Sequence, residues 1–203
     1  MPLGDSITDY GCWRAWIWER FQRGGVYSVD LVGGERAGEN CNNLEFDRDH
    51  EGHPGFQAVD IANRNQLVGW LAKNPADVVT MHLGTNDIIR GSGKASDILG
   101  AQGKLIDQMR ASNPGMRIIV AQIIPLANGN QNRLVGELNA AMPAWAASKN
   151  STGSPIWVVD LYSNYSAGAD LYDGIHPSAS GDVKIADRIY PALIGAIKSI
   201  QGA

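Results

Sequence analysis

The chain has 203 residues, of which 44% are hydrophobic and 19% are charged, and its formal net charge is −4. This length fits one domain with a single core, and we treat residues 1–203 as that domain. The slightly acidic balance leaves no basic excess to hold a phosphate backbone, so we expect no nucleic-acid partner.

Helical and strand patterns alternate from the start of the chain. After the opening residues, positions 12–25 carry apolar side chains at helical spacing and end in two glycines, which predicts a helix. Residues 27–34, "YSVDLVGG", predict a short buried strand. Residues 33–55 are polar and glycine-rich without any periodicity, which is typical of a functional loop.

The same alternation continues to the end. The remaining predicted elements are a helix over 59–74, a strand over 77–84, a helix over 95–115, a strand over 116–125, a helix over 131–150, a strand over 155–162 and a helix over 179–200. Strands that are apolar throughout are buried on both faces, and helices between them indicate a parallel sheet covered on both sides. We therefore predict an α/β fold: one three-layer α/β/α domain with a mostly parallel sheet of about five strands.

Polar residues lie where several predicted strands end. Ser6 lies where the first strand gives way to a helix, and His176 follows the last strand. Because both residues follow the carboxyl ends of parallel strands, they share one edge of the sheet. This is the edge where ligands bind in such folds. Asp173 can reach the imidazole of His176 through a tight turn at Gly174. A hydroxyl, an imidazole and a carboxylate are the parts of a serine hydrolase.

Two further residues could supply the hydrogen-bond donors that stabilise an oxyanion, namely the side-chain amide of Asn86 and the backbone N–H of Gly55. Each candidate also has a purely structural interpretation. Asp5 and Ser6 could cap the following helix, Asn86 could lie in a turn, and Gly55 could be a simple turn glycine. The conjunction of all the candidates at one sheet edge favours the catalytic interpretation.

The other histidines are interpreted as structural. His82 lies within an apolar strand and is predicted to be a hydrogen-bonded core residue. His50 and His53 lie among acidic residues of the long loop, but their spacing matches no standard zinc pattern. We therefore expect no metal.

Four short blocks occur in order: "GDSIT" from Gly4, then Gly55, then "GTND" from Gly84, then "DGIHP" ending at Pro177. Together they resemble the blocks of the SGNH hydrolase superfamily over essentially the whole chain. The resemblance implies a flavodoxin-like SGNH hydrolase fold. It also implies a catalytic triad of Ser6, Asp173 and His176, and an oxyanion hole formed by Ser6, Gly55 and Asn86.

Longer stretches, among them "CWRAWIWERF" and "DRDHEGHPGFQA", look like the third family of carbohydrate esterases, whose members remove acetyl groups from xylan. This resemblance implies a secreted serine esterase without a cofactor, acting on an acetylated polysaccharide or oligosaccharide. We expect a monomer whose signal peptide is not present in this chain. One alternative is a lipid esterase or thioesterase. Such an enzyme is expected to have an extended apolar lid, and the polar character of residues 35–53 argues against one. The other is a non-catalytic carbohydrate-binding protein, although no triad residue is missing.

Cys12 and Cys41 leave two interpretations open. They could be two buried thiols, or they could form one disulfide, which only an oxidising compartment would maintain. A bridge would anchor the long loop beside the turn that carries Ser6. No apolar run approaches the roughly 18 residues of a membrane helix, so we expect no membrane partner.

Overall fold

A computed structural model describes residues 1–38, 41 and 44–201 of the chain. Four positions of the predicted functional loop, 39, 40, 42 and 43, lie outside the described residues, as do the last two residues.

Within the described residues, six strands form one sheet in the order β2-β3-β1-β4-β5-β6. The strands are β1 (Pro2–Gly4), β2 (Glu35–Arg36), β3 (Asp49–Gly52), β4 (Val78–His82), β5 (Arg117–Ala121) and β6 (Ile156–Val159). Five of them are parallel, and only β2 pairs antiparallel with its neighbour β3. The predicted α/β fold with a mostly parallel sheet is therefore confirmed.

Eight helices in the described part of the chain cover the two faces of the sheet. They are α1 (Ser6–Tyr10), α2 (Trp13–Arg23), α3 (Ala58–Asn63), α4 (Gln66–Lys73), α5 (Thr85–Arg90), α6 (Ala95–Ser112), α7 (Gly129–Lys149) and α8 (Ala179–Gln201). Helices α2 and α8 pack together on one face, whereas α3, α4, α6 and α7 pack on the other. No helix within the described ranges is both long and apolar enough to cross a bilayer.

Strand β5 shows why the central strands are apolar without alternation. Ile118 and Val120 pack into the core on the α6 side, while Ile119 and Ala121 pack into the core on the α8 side. All four side chains are fully buried. Burial of a large aliphatic side chain contributes about 1.5–3 kcal/mol, so both faces of the strand favour apolar residues.

The predicted strand over residues 27–34 is wrong. The backbone N–H of Leu31 donates to Asp47 Oδ2 at 2.7 Å, and the N–H of Gly34 donates to Glu51 Oε2 at 2.8 Å. Because side-chain carboxylates bind these donors, the segment does not form a ladder. The fifth parallel strand is instead β3, which lies inside the stretch predicted as a loop without regular structure.

The helix predicted over 59–74 is two helices. The chain leaves α3 after Asn63 and re-enters a helix at Gln66, with Asn65 between them at a φ of 52°. Asparagine is one of the few residues that tolerates this left-handed conformation. This left-handed residue separates α3 from α4, and apolar periodicity does not report a single backbone conformation of this kind.

Cys12 and Cys41 form a disulfide with a Cα–Cα distance of 5.3 Å. Of the two interpretations drawn from the sequence, the bridge is therefore the correct one. Cys12 immediately precedes α2 and follows the short helix α1, which begins at Ser6. The bridge thus ties the long loop to the chain next to the turn that carries the serine.

Candidate active site

The predicted site residues follow the carboxyl ends of four strands of the sheet, β1, β3, β4 and β6. Ser6 comes two residues after β1, Gly55 three residues after β3, and Asn86 four residues after β4. Asp173 and His176 lie in the long connection between β6 and α8. The sheet therefore places all five at one edge, as the sequence predicted.

The turn at Ser6 is held by the residue before it. Asp5 is the N-cap of α1, and its Oδ1 accepts a hydrogen bond from the N–H of Ile7 at 2.9 Å. This interaction satisfies one of the helix's first free donors, as N-cap residues typically do. Ser6 is therefore the first helical residue and not the cap, and its hydroxyl stays available for other contacts.

The side chains of Ser6, His176 and Asp173 form a continuous hydrogen-bonded series. Ser6 Oγ lies 2.8 Å from His176 Nε2, and His176 Nδ1 lies 2.7 Å from Asp173 Oδ2. With the ring proton on Nδ1, His176 donates to the carboxylate, and its Nε2 accepts from the Ser6 hydroxyl. This is the arrangement in which an imidazole can act as a general base toward a serine.

A tight turn brings Asp173 and His176 together. Gly174 has a φ of 86°, a conformation that glycine adopts without cost, and an antiparallel bridge between Leu171 and Pro177 closes the turn. Asp173 Oδ1 accepts from the N–H of Ile175 at 3.0 Å and from the N–H of His176 at 2.8 Å.

The charge of Asp173 follows from these contacts. Desolvation alone would raise its pKa, but hydrogen bonds from the backbone and side chain of His176 and from the Ile175 N–H hold the pKa below its usual value. Asp173 is therefore ionised at neutral pH, and it can both fix the imidazole tautomer and stabilise a protonated ring.

Two backbone donors beside this series are unused. Within the described part of the chain, no acceptor binds the N–H of Ser6 or the N–H of Gly55. Gly55 has a φ of 80°, and its carbonyl accepts a hydrogen bond from Arg90 Nη1 at 3.2 Å. The left-handed conformation makes glycine the favoured residue at this position, because other L-residues are strained there.

The amide of Asn86 connects the serine turn to the Gly55 loop. Its Nδ2 donates to Asp5 Oδ2 at 3.2 Å and to the carbonyl of Phe56 at 3.2 Å. The backbone carbonyl of Asn86 accepts a hydrogen bond from Gln57 Nε2 at 3.1 Å. These contacts fix the amide group, so that an oxyanion bound beside it would compete with the two acceptors for its hydrogens.

Two buried aspartates, Asp5 and Asp87, adjoin Ser6 and Asn86 in the chain. Asp5 is fully buried, and burial raises its pKa to about 7, against the opposing hydrogen bond from Ile7. Asp87 accepts hydrogen bonds from the N–H groups of Ala58 at 2.9 Å and Val59 at 3.0 Å, and so fixes the start of α3 behind the Gly55 loop. The capping interpretation of Asp5 is confirmed, whereas the contacts of Asp87 were missed, and its position beside Asn86 was the only signal in the sequence.

The remaining histidines have structural surroundings. His82 is buried as predicted, but in the described part of the chain neither ring nitrogen has a hydrogen-bond partner, so the predicted hydrogen bond is wrong. Its strand is packed between apolar layers, and desolvation lowers its pKa to about 4. His50 Nδ1 accepts from the Gly52 N–H, and His53 Nε2 lies 2.7 Å from Glu51 Oε1.

No cluster of three or more His, Cys, Asp or Glu side chains in the described ranges is arranged to hold a metal ion.

The domain has a mostly parallel sheet covered by helices on both faces, and a hydrogen-bonded Ser–His–Asp series lies at the carboxyl edge of that sheet. This is the architecture of a serine hydrolase. The sequence matches the model of the GDSL-like Lipase/Acylhydrolase family over residues 3–183, and the chain belongs to that family. The resemblance drawn from the four sequence blocks is therefore confirmed.

Solved structures share the fold over nearly the whole chain. An acetyl esterase mutant determined with an acetate ion is 38% identical, with a TM-score of 0.93 and 98% of each chain covered. A carbohydrate esterase family 3 protein from Talaromyces cellulolyticus is 39% identical, with a TM-score of 0.92 over 98% of this chain and 97% of that chain. A family 3 carbohydrate esterase from Clostridium thermocellum is 29% identical, with a TM-score of 0.81 over 98% and 96%.

Curated relatives are longer than this chain. A multidomain esterase from Ruminococcus flavefaciens is 30% identical over 227 residues, which cover all of this chain but 29% of the relative. A putative endoglucanase X from Acetivibrio thermocellus is 29% identical over 141 residues, covering 68% of this chain and 59% of the relative. The chain thus spans less than two thirds of each of these relatives.

Proposed function

We propose that the protein is a serine carboxylic ester hydrolase that removes acetyl groups from acetylated carbohydrate, with xylan as the first polymer to test. The observation that carries the proposal is the series from Ser6 Oγ through His176 to Asp173, with contacts of 2.8 and 2.7 Å. A non-catalytic carbohydrate-binding protein has no need for this geometry, so the series disfavours that alternative.

The reaction follows from the contacts. His176 Nε2 takes the proton of the Ser6 hydroxyl as its oxygen attacks the ester carbonyl, and Asp173 stabilises the imidazolium that forms. The free N–H groups of Ser6 and Gly55 and the amide of Asn86 stabilise the tetrahedral oxyanion. His176 then gives its proton to the departing sugar oxygen, which leaves an acetyl group on Ser6. A water molecule, deprotonated by the same imidazole, hydrolyses this acetyl-enzyme. No step requires a cofactor.

The proposed acyl group is short for two reasons. Three cavities of the described residues lie away from the serine, and Ser6, Asp173 and His176 line none of them. The Arg90 side chain also lies against the Gly55 loop. A longer acyl chain gains about 0.8 kcal/mol per methylene only where that methylene is buried, and these surroundings disfavour the lipid-esterase alternative.

The substrate class is supported by the matched structures, two of which are carbohydrate esterases and one an acetyl esterase seen with acetate. Secretion is part of the proposal, because the Cys12–Cys41 disulfide persists in oxidising compartments. We also propose that the protein acts as a monomer, since Ser6, Asp173 and His176 are brought together within one chain.

The test is a comparison of acyl chains and of alcohols. Acetate release from acetylated xylan is measured beside hydrolysis of simple esters with acetyl, butyryl and octanoyl groups. We expect kcat/KM to fall steeply from acetyl to butyryl and acetate to be released from the polymer. Equal or higher kcat/KM on the octanoyl ester would overturn the proposal in favour of the lipid esterase.

A further inference from the structure

Two exposed tyrosines flank the imidazole of His176. Tyr10 is 56% exposed and its ring centroid lies 6.1 Å from that of His176, with the planes inclined by 53°. Tyr172 is 66% exposed and lies 5.7 Å from His176, with the planes only 19° apart. Single exposed hydrophobic side chains are common on protein surfaces, but two that border the same reactive imidazole form a patch, and such patches indicate a binding surface.

The local structure explains both positions. Tyr10 is the last residue of α1 and follows Ser6 by four residues, which puts the two side chains on one face of the helix. The N–H of Tyr172 donates to the carbonyl of His176 at 3.0 Å, so the turn that aims the imidazole also places this ring beside it. Both tyrosines are therefore fixed relative to the serine and the histidine.

The chemistry of ester cleavage tells which part of a substrate meets these rings. The departing alcohol oxygen must take a proton from His176 Nε2, so the alcohol part of the ester lies on the histidine side of Ser6. The carbonyl oxygen points the other way, toward Gly55 and Asn86. The alcohol part therefore lies where Tyr10 and Tyr172 border the imidazole.

We propose, on the basis of the function proposed above, that Tyr10 and Tyr172 bind the sugar ring whose hydroxyl carries the acetyl group. The C–H face of a pyranose is apolar and flat, and it can cover an exposed aromatic ring while the phenolic hydroxyl stays in contact with water or sugar hydroxyls. An aliphatic alcohol has no such flat face and would need an enclosed apolar wall. The pair thus binds the carbohydrate and does not bind the acyl group.

The experiment uses alanine and phenylalanine variants with two acetyl esters. Tyr10→Ala and Tyr172→Ala are assayed on an acetylated xylo-oligosaccharide and on ethyl acetate, whose alcohol is too small to reach either ring. Each substitution is expected to lower kcat/KM on the oligosaccharide on the order of tenfold, mainly through KM, and to change kcat/KM on ethyl acetate by less than about twofold. Tyr172→Phe keeps the ring and should retain most of the oligosaccharide activity.

Tyr27→Ala is the matched control. Tyr27 is 72% exposed, but it adjoins residues that line a cavity with Met1 and Val78 at the opposite edge of the sheet. Its removal should leave kcat/KM unchanged on both esters.

The outcomes separate this inference from the function on which it rests. If the wild-type protein hydrolyses ethyl acetate but not the acetylated oligosaccharide, the carbohydrate substrate is wrong and the sugar site with it. If the wild-type protein cleaves both and the Tyr10 and Tyr172 variants keep full activity on the oligosaccharide, only the sugar site is wrong. If the tyrosine variants lose kcat/KM equally on both esters, the sugar site is also wrong, because the rings would then act by positioning His176.

Discussion

The Gly55 loop offers a direct test of the oxyanion geometry through the substitution Gly55→Ala. A Cβ at this position would lie 2.9 Å from Arg90 Nη1, and the backbone φ is 80°. An L-residue in that conformation costs about 1–2 kcal/mol, so the loop will shift to relieve the strain. Any shift moves the Gly55 N–H, and loss of one oxyanion donor lowers kcat by about 10²-fold to 10³-fold.

The assay measures kcat on ethyl acetate together with the free energy of unfolding in urea. Gly136→Ala in α7 is the matched control, because a Cβ there meets nothing within 4 Å and alanine favours a helix by about 1 kcal/mol. The control should gain stability at unchanged kcat, whereas Gly55→Ala should lose both stability and kcat. A kcat for Gly55→Ala within about threefold of wild type would refute the assigned role of its N–H.

Three further outcomes are expected. Asn86→Ala should lower kcat by about 10²-fold to 10³-fold, and a loss below about threefold would reduce Asn86 to a structural residue. Replacing Cys12 and Cys41 together by alanine should lower the free energy of unfolding by about 3.6 kcal/mol, from a 29-residue separation in the chain-entropy model, and a urea midpoint equal to wild type would contradict this. The pKa of His82 is about 4 in the folded protein and 6.5 in the unfolded chain, so the unfolded chain binds the proton first as the pH falls. The buried neutral His82 therefore favours folding above pH 6.5, and this contribution is lost as the pH falls toward 4. The stability of His82→Leu relative to wild type should therefore rise by about 3 kcal/mol from pH 7 to pH 4, and a constant difference would show that His82 does not titrate this way.

The sequence predicts the central strands and long helices well because burial on two faces leaves a continuous apolar run. It misses β3, whose residues Asp49, His50 and Glu51 have low strand propensity. The buried Glu51 in that strand is instead satisfied by partners such as the Gly34 N–H, which donates to its carboxylate at 2.8 Å. Such partners lie far along the chain and leave no periodic signal.

The candidate site likewise contains contacts that the sequence predicts and contacts that it does not. Asp173 and His176 are predictable because they are three residues apart and joined by one turn. The contact of Asn86 with Asp5 joins residues 81 positions apart, and only the folded sheet brings them within 3.2 Å. The same holds for the two tyrosines, since exposure beside His176 is a property of the assembled edge.

The most direct test of the catalytic role of Ser6 is acetate release by wild type and by Ser6→Ala under identical conditions, with circular dichroism to show that both are folded. The Ser6 hydroxyl is the proposed nucleophile, so the variant should lose about 10⁴-fold or more in kcat at unchanged stability. A folded Ser6→Ala protein that releases acetate within about tenfold of the wild-type rate would contradict the account, because the acetyl group could not then pass through Ser6.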